Sequence, residues 1–168
     1  EIVNMNKKQL KDLGIKVDNL CRVYLPVLKN FGASGLLRDD VQINEQNTKI
    51  EYVPFRNTVL LAVALMRAEL AGAKYVAIGA NNDDTLAPDG TPAYIKAINE
   101  VVQAIDAPAP SVIAPLLGFG GKPEIVRTGK DLGVDFSHTW SCHAYVPPQE
   151  VGLDAKACGT CGNCSTMY

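Results

Sequence analysis

The sequence predicts an α/β fold with a parallel sheet covered by helices on both faces. Three observations lead there. Helix-length periodic segments alternate with short apolar runs of strand length. Those runs are continuously apolar rather than alternating, as in parallel strands buried on both sides. Glycine and proline punctuate the joints, with Pro92 and Pro123 in first turns and Gly14, Gly72 and Gly133 just past last turns.

Taken in order, Asn6 to Leu13 reads as a polar helix stopped by Gly14, and Leu20 to Leu28 as a strand interrupted by Pro26. Phe31 to Thr48 is rich in turn residues and charge, which predicts a long loop. Asn57 is placed to cap a helix running to about Ala71, closed by Gly72. Val59, Leu60, Leu61, Val63, Leu65 and Met66 cover nearly every face of that helix, so burial in the middle of the domain is expected. Lys74 to Ile78 is a short apolar strand followed by a polar loop, Gly79 to Asp84. Pro92 opens a helix to about Ile105, and Ala107 to Pro110 makes a turn. Ser111 to Leu117 is a strand, a helix lies between Lys122 and Gly133, and Val134 to Trp140 is the last extended piece.

The 168 residues are read as one domain, 1–168, with a cysteine-bearing segment over 139–168. Such a length buries roughly 70% of the unfolded surface, enough for a core. The net charge of −2 argues against a broad basic nucleic-acid surface. The longest apolar run, Thr58 to Met66, is far short of the ~20 residues that span a bilayer. With no secretory signal and a free-thiol pattern, the expected location is cytoplasmic.

Four of the five cysteines crowd the carboxyl-terminal part: Cys142, then Cys158, Cys161 and Cys164 in Cys-Gly-Thr-Cys-Gly-Asn-Cys. Cys-x-x-Cys steps fold into tight turns that bring two sulfurs together, and the glycines permit those turns. Four thiolates make a closed tetrahedral site, so structural zinc is the expectation. An iron–sulfur cluster also uses such spacing, although Ser165 follows Cys164 where a ferredoxin run continues differently. Two disulfides are the remaining alternative, in an oxidising compartment. His138 and His143 flank Cys142 and are read as structural, and Cys21 as a buried small hydrophobe.

Ligands of open α/β sheets bind beyond the carboxyl ends of the strands. The loop after Ile78 carries Asn81, Asn82, Asp83 and Asp84, with Asp89 beyond; these suit a purine, a ribose or magnesium, or simply make turns. Arg56 and Asn57 stand at a helix start suited to phosphate or carboxylate, or are a cap beside a surface arginine. Lys122, after Gly120 and Gly121, could meet a phosphate in the same way, though the segment is no Walker loop.

Phe31-Gly32-Ala33-Ser34-Gly35-Leu36-Leu37-Arg38-Asp39-Asp40 and Tyr52-Val53-Pro54-Phe55-Arg56-Asn57 come first among a set of ordered motifs. Ile78-Gly79-Ala80-Asn81-x-Asp83, then Pro88-Asp89 with Pro92-Ala93-Tyr94, follow. Lys122-Pro123-Glu124-Ile125, Leu132-Gly133, Thr139-Trp140-Ser141-Cys142 and the cysteine knuckle complete the series. Together they resemble the QueC family, the 7-cyano-7-deazaguanine synthases of the PP-loop ATP pyrophosphatase superfamily, over about residues 6 to 164.

The resemblance implies a Rossmann-like, adenine nucleotide alpha hydrolase-like sheet. It implies ATP and magnesium, ammonia and a deazapurine carboxylate as reactants, structural zinc, and a homodimer. From the net charge and the short apolar runs, no direct nucleic-acid contact and no membrane contact are expected. The sequence departs from the family at three places. Phe55 replaces a glycine of Val-Pro-Gly-Arg-Asn, and Gly90-Thr91 replace the Cys-Arg of the substrate-side motif. The family's Ser-Gly-Gly-x-Asp-Ser loop, which wraps the ATP phosphates, is absent from these residues. Three readings follow: a piece of a longer enzyme, a partner chain that supplies the loop, or a non-catalytic QueC-like binding subunit. A related ligase acting on another deazapurine or on a protein is a further alternative.

Overall fold

The computed structural model describes residues 23–31, 34–38, 52–83, 87–105, 108–136, 139, 141–142, 158–159 and 164. Cys161, His138 and His143, and the helix expected over Asn6 to Leu13, lie outside the described residues. The described elements are α1 (Pro26–Phe31), α2 (Arg56–Leu70), β1 (Tyr75–Ala77), α3 (Pro92–Gln103), β2 (Ser111–Ile113) and α4 (Lys122–Asp131). The chain divides into two compact units, Glu1–Ile50 with Arg127–Tyr168, and Glu51–Val126. Among the described residues no helix is long and apolar enough to cross a membrane.

The 51–126 unit is mixed α/β. β1 and β2 pair in parallel, with Val76 opposite Val112, and the chain crosses between them through α3, as parallel pairing requires. Leu61 and Ala68 of α2 join Val76 and Val112 in a buried cluster, with Ile78, Tyr94, Ile95 and Ile98 packed around it. α2 and α3 therefore share the Val76–Val112 side. On the other side Tyr75 and Ala77 are exposed and Ile113 is partly so. Among the described residues helices thus cover one face of the sheet, where both were expected.

Local chemistry sets the boundaries. Thr91 caps α3, its Oγ1 accepting the Tyr94 N–H at 3.2 Å, with Pro92 following in the first turn. Gly72, at φ +65°, ends α2 as expected, and Gly133, at φ +74°, follows α4. β2 stops at Ile113 rather than Leu117, because Pro115 opens a 3-10 turn over Pro115–Gly118.

Three further expectations are corrected. Tyr24 and Leu25 form no strand, and Pro26 begins a helix instead; its fixed φ and missing N–H suit a first turn. Of the piece expected to be extended from Val134 to Trp140, the described part departs from a strand at Phe136, whose carbonyl accepts both the Thr139 N–H and the Thr139 Oγ1–H. α2 is not apolar-buried all round: Leu60, Met66 and Leu70 are exposed while Leu61 and Ala68 face the core.

In the other unit, Gly129 in the last part of α4 has a specific use. A Cβ there would lie 2.6 Å from the Phe136 ring, so glycine admits the aromatic ring against the helix. The long loop expected from Phe31 contains a 3-10 turn at Gly35–Leu37 within its described part, beside a buried Ser34.

Asn57 is not the cap of α2. The helix begins at Arg56, and the preceding residue, Phe55, takes a left-handed φ of 54° with no side-chain capping bond. Left-handed backbone costs a residue with a Cβ roughly 1–2 kcal/mol, and glycine avoids it. Phe55 is largely exposed, so little packing is lost with its ring. Phe55→Gly should therefore raise stability by about 1 kcal/mol in urea unfolding. An unchanged or lower midpoint would show that the ring makes contacts that outweigh the strain.

Candidate functional site

Because Phe55 offers no capping atom, the first N–H groups of α2 need an acceptor from elsewhere. Asp89 supplies it from the 3-10 turn Pro88–Gly90. Its Oδ2 accepts the Asn57 N–H at 2.8 Å and the Thr58 N–H at 3.4 Å. The Asn57 side-chain amide answers by donating to the Asp89 carbonyl at 3.3 Å. Asp89 is buried, 6% exposed, and its charge sits at the positive end of a 15-residue helix. A second link lies beside it, the Tyr94 hydroxyl donating to Thr58 Oγ1 at 2.8 Å. Arg56, half-buried, is the first residue of the same helix.

The other expected loop residues form a second clamp in the same unit. Asn81 Oδ1 accepts the Asp83 N–H at 3.0 Å, which turns the chain. Asp83 Oδ2 then accepts the Lys122 N–H at the start of α4. Asn82 Nδ2 donates to the Phe119 and Gly120 carbonyls at 2.6 and 3.1 Å. Gly121 lets this carboxylate approach, since a Cβ there would lie 2.6–2.7 Å from both Asp83 oxygens and would have to displace them. The six sequence-derived pocket residues thus fall into two groups: Arg56, Asn57 and Asp89 in one, Asn81, Asp83 and Lys122 in the other. Both aspartates accept backbone N–H groups of helix starts that the sequence suggested for phosphate.

Thr58, Tyr94 and Thr91 were not singled out as functional from the sequence. Their signals were local only: a hydroxyl in a helix first turn, and a threonine just before a proline. Gly90, which departs from the family pattern, has room: a Cβ there would meet Asn57 Nδ2 and Ala80 at 3.5 Å, ordinary contact.

Cysteines assemble in the 1–50 and 127–168 unit. The sulfurs of Cys142, Cys158 and Cys164 lie within 4.8 Å of one another. Cys142 and Cys164 are buried and Cys158 is exposed. The Cys158 N–H donates to Cys142 Sγ at 3.4 Å, and Cys158 and Cys164 sulfurs are 3.9 Å apart. No disulfide joins these three. Gly159 takes φ +72° immediately after Cys158, the left-handed step for which the glycines were expected. Tetrahedral Zn–S bonds of about 2.3 Å set sulfurs about 3.8 Å apart, so the spacing fits a metal-binding cluster. Buried thiolates also need a cation to offset their lost hydration.

Two predictions follow from these arrangements. Cys164→Ser should lower the metal content and reduce the unfolding temperature by several degrees. Unchanged metal by atomic emission together with unchanged melting would remove the metal from the account of stability. Gly121→Ala should destabilise by about 1–3 kcal/mol by pressing on Asp83, and Asp83→Ala in the same chain should recover part of that loss. Additive losses in urea unfolding would show that the two positions do not meet.

The family described as "Queuosine biosynthesis protein QueC" matches residues 2–167. Curated relatives include a 7-cyano-7-deazaguanine synthase of Saccharophagus degradans, 36% identical over 146 residues, covering 82% of this chain and 62% of the relative. One of Halobacterium salinarum is also 36% identical over 146 residues, covering 82% of this chain and 60% of the relative. One of Rickettsia bellii is 35% identical over 148 residues, covering 82% of this chain and 63% of the relative. The chain spans about three fifths of the length of these relatives. With the family match over nearly every residue, the chain belongs to the QueC family of queuosine biosynthesis proteins.

Proposed function

We propose that this chain is the substrate-side and metal-binding part of a 7-cyano-7-deazaguanine synthase. The observation that carries the reading is the contact between Asn57 and Asp89. Two motifs, Val53-Pro54-Phe55-Arg56-Asn57 and Pro88-Asp89, are joined by two hydrogen bonds between Asn57 and Asp89, 32 residues apart, with a third from the adjoining Thr58. A pocket assembled from both would need them held together in this way.

In the proposed reaction, a carboxylate oxygen of 7-carboxy-7-deazaguanine attacks the α-phosphorus of ATP and pyrophosphate leaves. Ammonia adds to the acyl carbon, AMP departs, and a proton is lost to give the amide. The amide oxygen is adenylated in turn, again releasing pyrophosphate. Loss of AMP with the nitrogen's two protons leaves the nitrile. Adenylation converts a poor oxygen leaving group into a good one, and the protein contributes positioning and charge stabilisation.

Arg56 suits a carboxylate or phosphate, and Lys122 a phosphate. Asn81 and Asn57 suit the edges of the deazapurine, and Asp83 and Asp89 hold the loops that present them. Magnesium would accompany ATP as a charge partner. Cys142, Cys158, Cys161 and Cys164 would hold one structural zinc, whose closed thiolate shell supplies fastening rather than catalysis. The fold of the whole enzyme on this reading is Rossmann-like, with helices on both faces of its sheet. The polypeptide that carries the Ser-Gly-Gly-x-Asp-Ser loop completes the ATP site, as a further part of the same chain or as a partner. A cytoplasmic homodimer is part of the same reading.

A second reading, a QueC-like subunit that binds without catalysis, draws on Thr91. Where the family motif has arginine, this residue serves as a helix cap.

The test is to supply 7-carboxy-7-deazaguanine, ammonium and Mg-ATP to the chain joined to a segment carrying the Ser-Gly-Gly-x-Asp-Ser loop. The expected result is a product lighter than the amide by one water, with AMP and pyrophosphate, detected by mass spectrometry. Substrate binding by calorimetry without AMP release would favour the binding subunit. No binding at all would remove both readings.

A further inference from the structure

The three described sulfurs of the cysteine cluster are not equivalent. Cys142 and Cys164 are 7% and 3% exposed, whereas Cys158 is exposed. All three lie within 4.8 Å of one another, so two covered donors and one solvent-facing donor converge on a single point. The residue after Cys158, Gly159, is also exposed and takes φ +72°. A Cβ built there would meet nothing within 4 Å, so the chain beside Cys158 is open on that side.

The sulfurs differ in their contacts too. The Cys158 N–H donates to Cys142 Sγ at 3.4 Å. A hydrogen bond of that kind steadies the charge on a thiolate and makes it a weaker nucleophile. Cys158 Sγ lies 3.9 Å from Cys164 Sγ. A disulfide needs a separation of about 2.05 Å, so the pair must close by roughly 2 Å, which a rotamer change at an exposed side chain supplies. Cys164 is therefore the better-placed partner for Cys158, and Cys142 the more restrained one.

A sulfur bound to a metal ion is held as a thiolate, and the thiolate is the form that peroxides oxidise. Where every donor is a thiolate, access decides which one reacts first. We propose that Cys158 is the oxidation site of this cluster, and that its oxidation by a peroxide closes a Cys158–Cys164 disulfide and releases the metal. The Cys158 thiolate attacks one peroxide oxygen, the O–O bond breaks, and hydroxide leaves; Cys158 becomes a sulfenic acid. The Cys164 thiolate then attacks the Cys158 sulfur, the S–O bond breaks, and a second hydroxide leaves. The two sulfurs have given up two electrons and the hydrogen peroxide has taken them. The disulfide removes two thiolate donors at once, and the segment that the site fastens loosens with the loss of its metal. A thiol reductant and fresh metal reverse the change. The device rests on the metal-binding role proposed for these cysteines and is independent of the synthase chemistry.

The test treats the zinc-loaded 168-residue chain with one equivalent of hydrogen peroxide. A chelating dye reads zinc release, and peptide mass spectrometry after alkylation of the remaining thiols reads which cysteine has changed. The expected result is a Cys158–Cys164 disulfide as the first product, with one zinc released for each disulfide formed. First oxidation at any other cysteine would overturn the proposal, as would a Cys158 disulfide to Cys142 or Cys161. Formation of the Cys158–Cys164 bond with the zinc retained would overturn the release step. A chain that takes up no zinc before peroxide is added would instead remove the metal-binding role itself, and the device with it.

Cys158→His separates access from coordination, because histidine can serve as the fourth zinc ligand but forms no disulfide. Zinc release by peroxide should be at least about 10-fold slower in this variant. Release at the rate of the unaltered chain would overturn the role of Cys158. If the variant does not retain zinc, the mapping in the unaltered chain decides the question alone.

Discussion

α2 starts from a residue that cannot cap it. Phe55 enters the helix in a left-handed conformation without a side-chain acceptor, and the N–H groups of Asn57 and Thr58 point inward. The buried carboxylate of Asp89 satisfies both, and it does so from a turn 32 residues further along the chain. A carboxylate at a helix N-terminus is worth up to about 2 kcal/mol in a partly buried setting. Removing it would leave two donors unmet, at about 1–3 kcal/mol each. Much of the 51–126 unit depends on this contact. It sets the Pro88–Gly90 turn against α2, that turn leads into the Thr91 cap of α3, and α3 packs on β2. The Tyr94 to Thr58 hydrogen bond ties the same two helices a second time.

The same device recurs at α4, where Asp83 takes the Lys122 N–H and Asn82 holds the Phe119 and Gly120 carbonyls. This changes what the loops can offer a ligand. A free helix N-terminus attracts phosphate through its unpaired N–H groups and its dipole. In both places the chain's own carboxylate already occupies part of that position. Arg56 and Lys122 stand at these two helix starts, on backbone whose N–H groups the aspartates bind.

The other unit is held by different physics. Its described part offers the short helix α1, a 3-10 turn, the end of α4 and three converging sulfurs. Among the described side chains at the start of α1, Val23, Tyr24 and Val27 are exposed. Three sulfurs this close could hold a metal ion, and coordination of that kind adds stability that a small core cannot supply by area. The Gly129 to Phe136 contact adds one fitted aromatic ring to it.

By itself the sequence determined the features governed by local chemistry. The cysteine spacing, the glycine after Cys158, the proline and threonine that open α3 and the glycines that follow α2 and α4 all act within a few residues. Each could be read from residue type alone. The parallel pairing of β1 and β2 also followed, because an apolar strand, a helix and another apolar strand leave few topologies. Tertiary structure decided the rest. That Asp89 caps α2, that Asp83 caps α4, and that Asn99 bonds the Val112 backbone all depend on contacts over 13 to 39 residues. Asparagine and aspartate carry the same local signal whether they make a turn, hold a ligand or cap a distant helix. Only the partner that the fold brings to them distinguishes these roles.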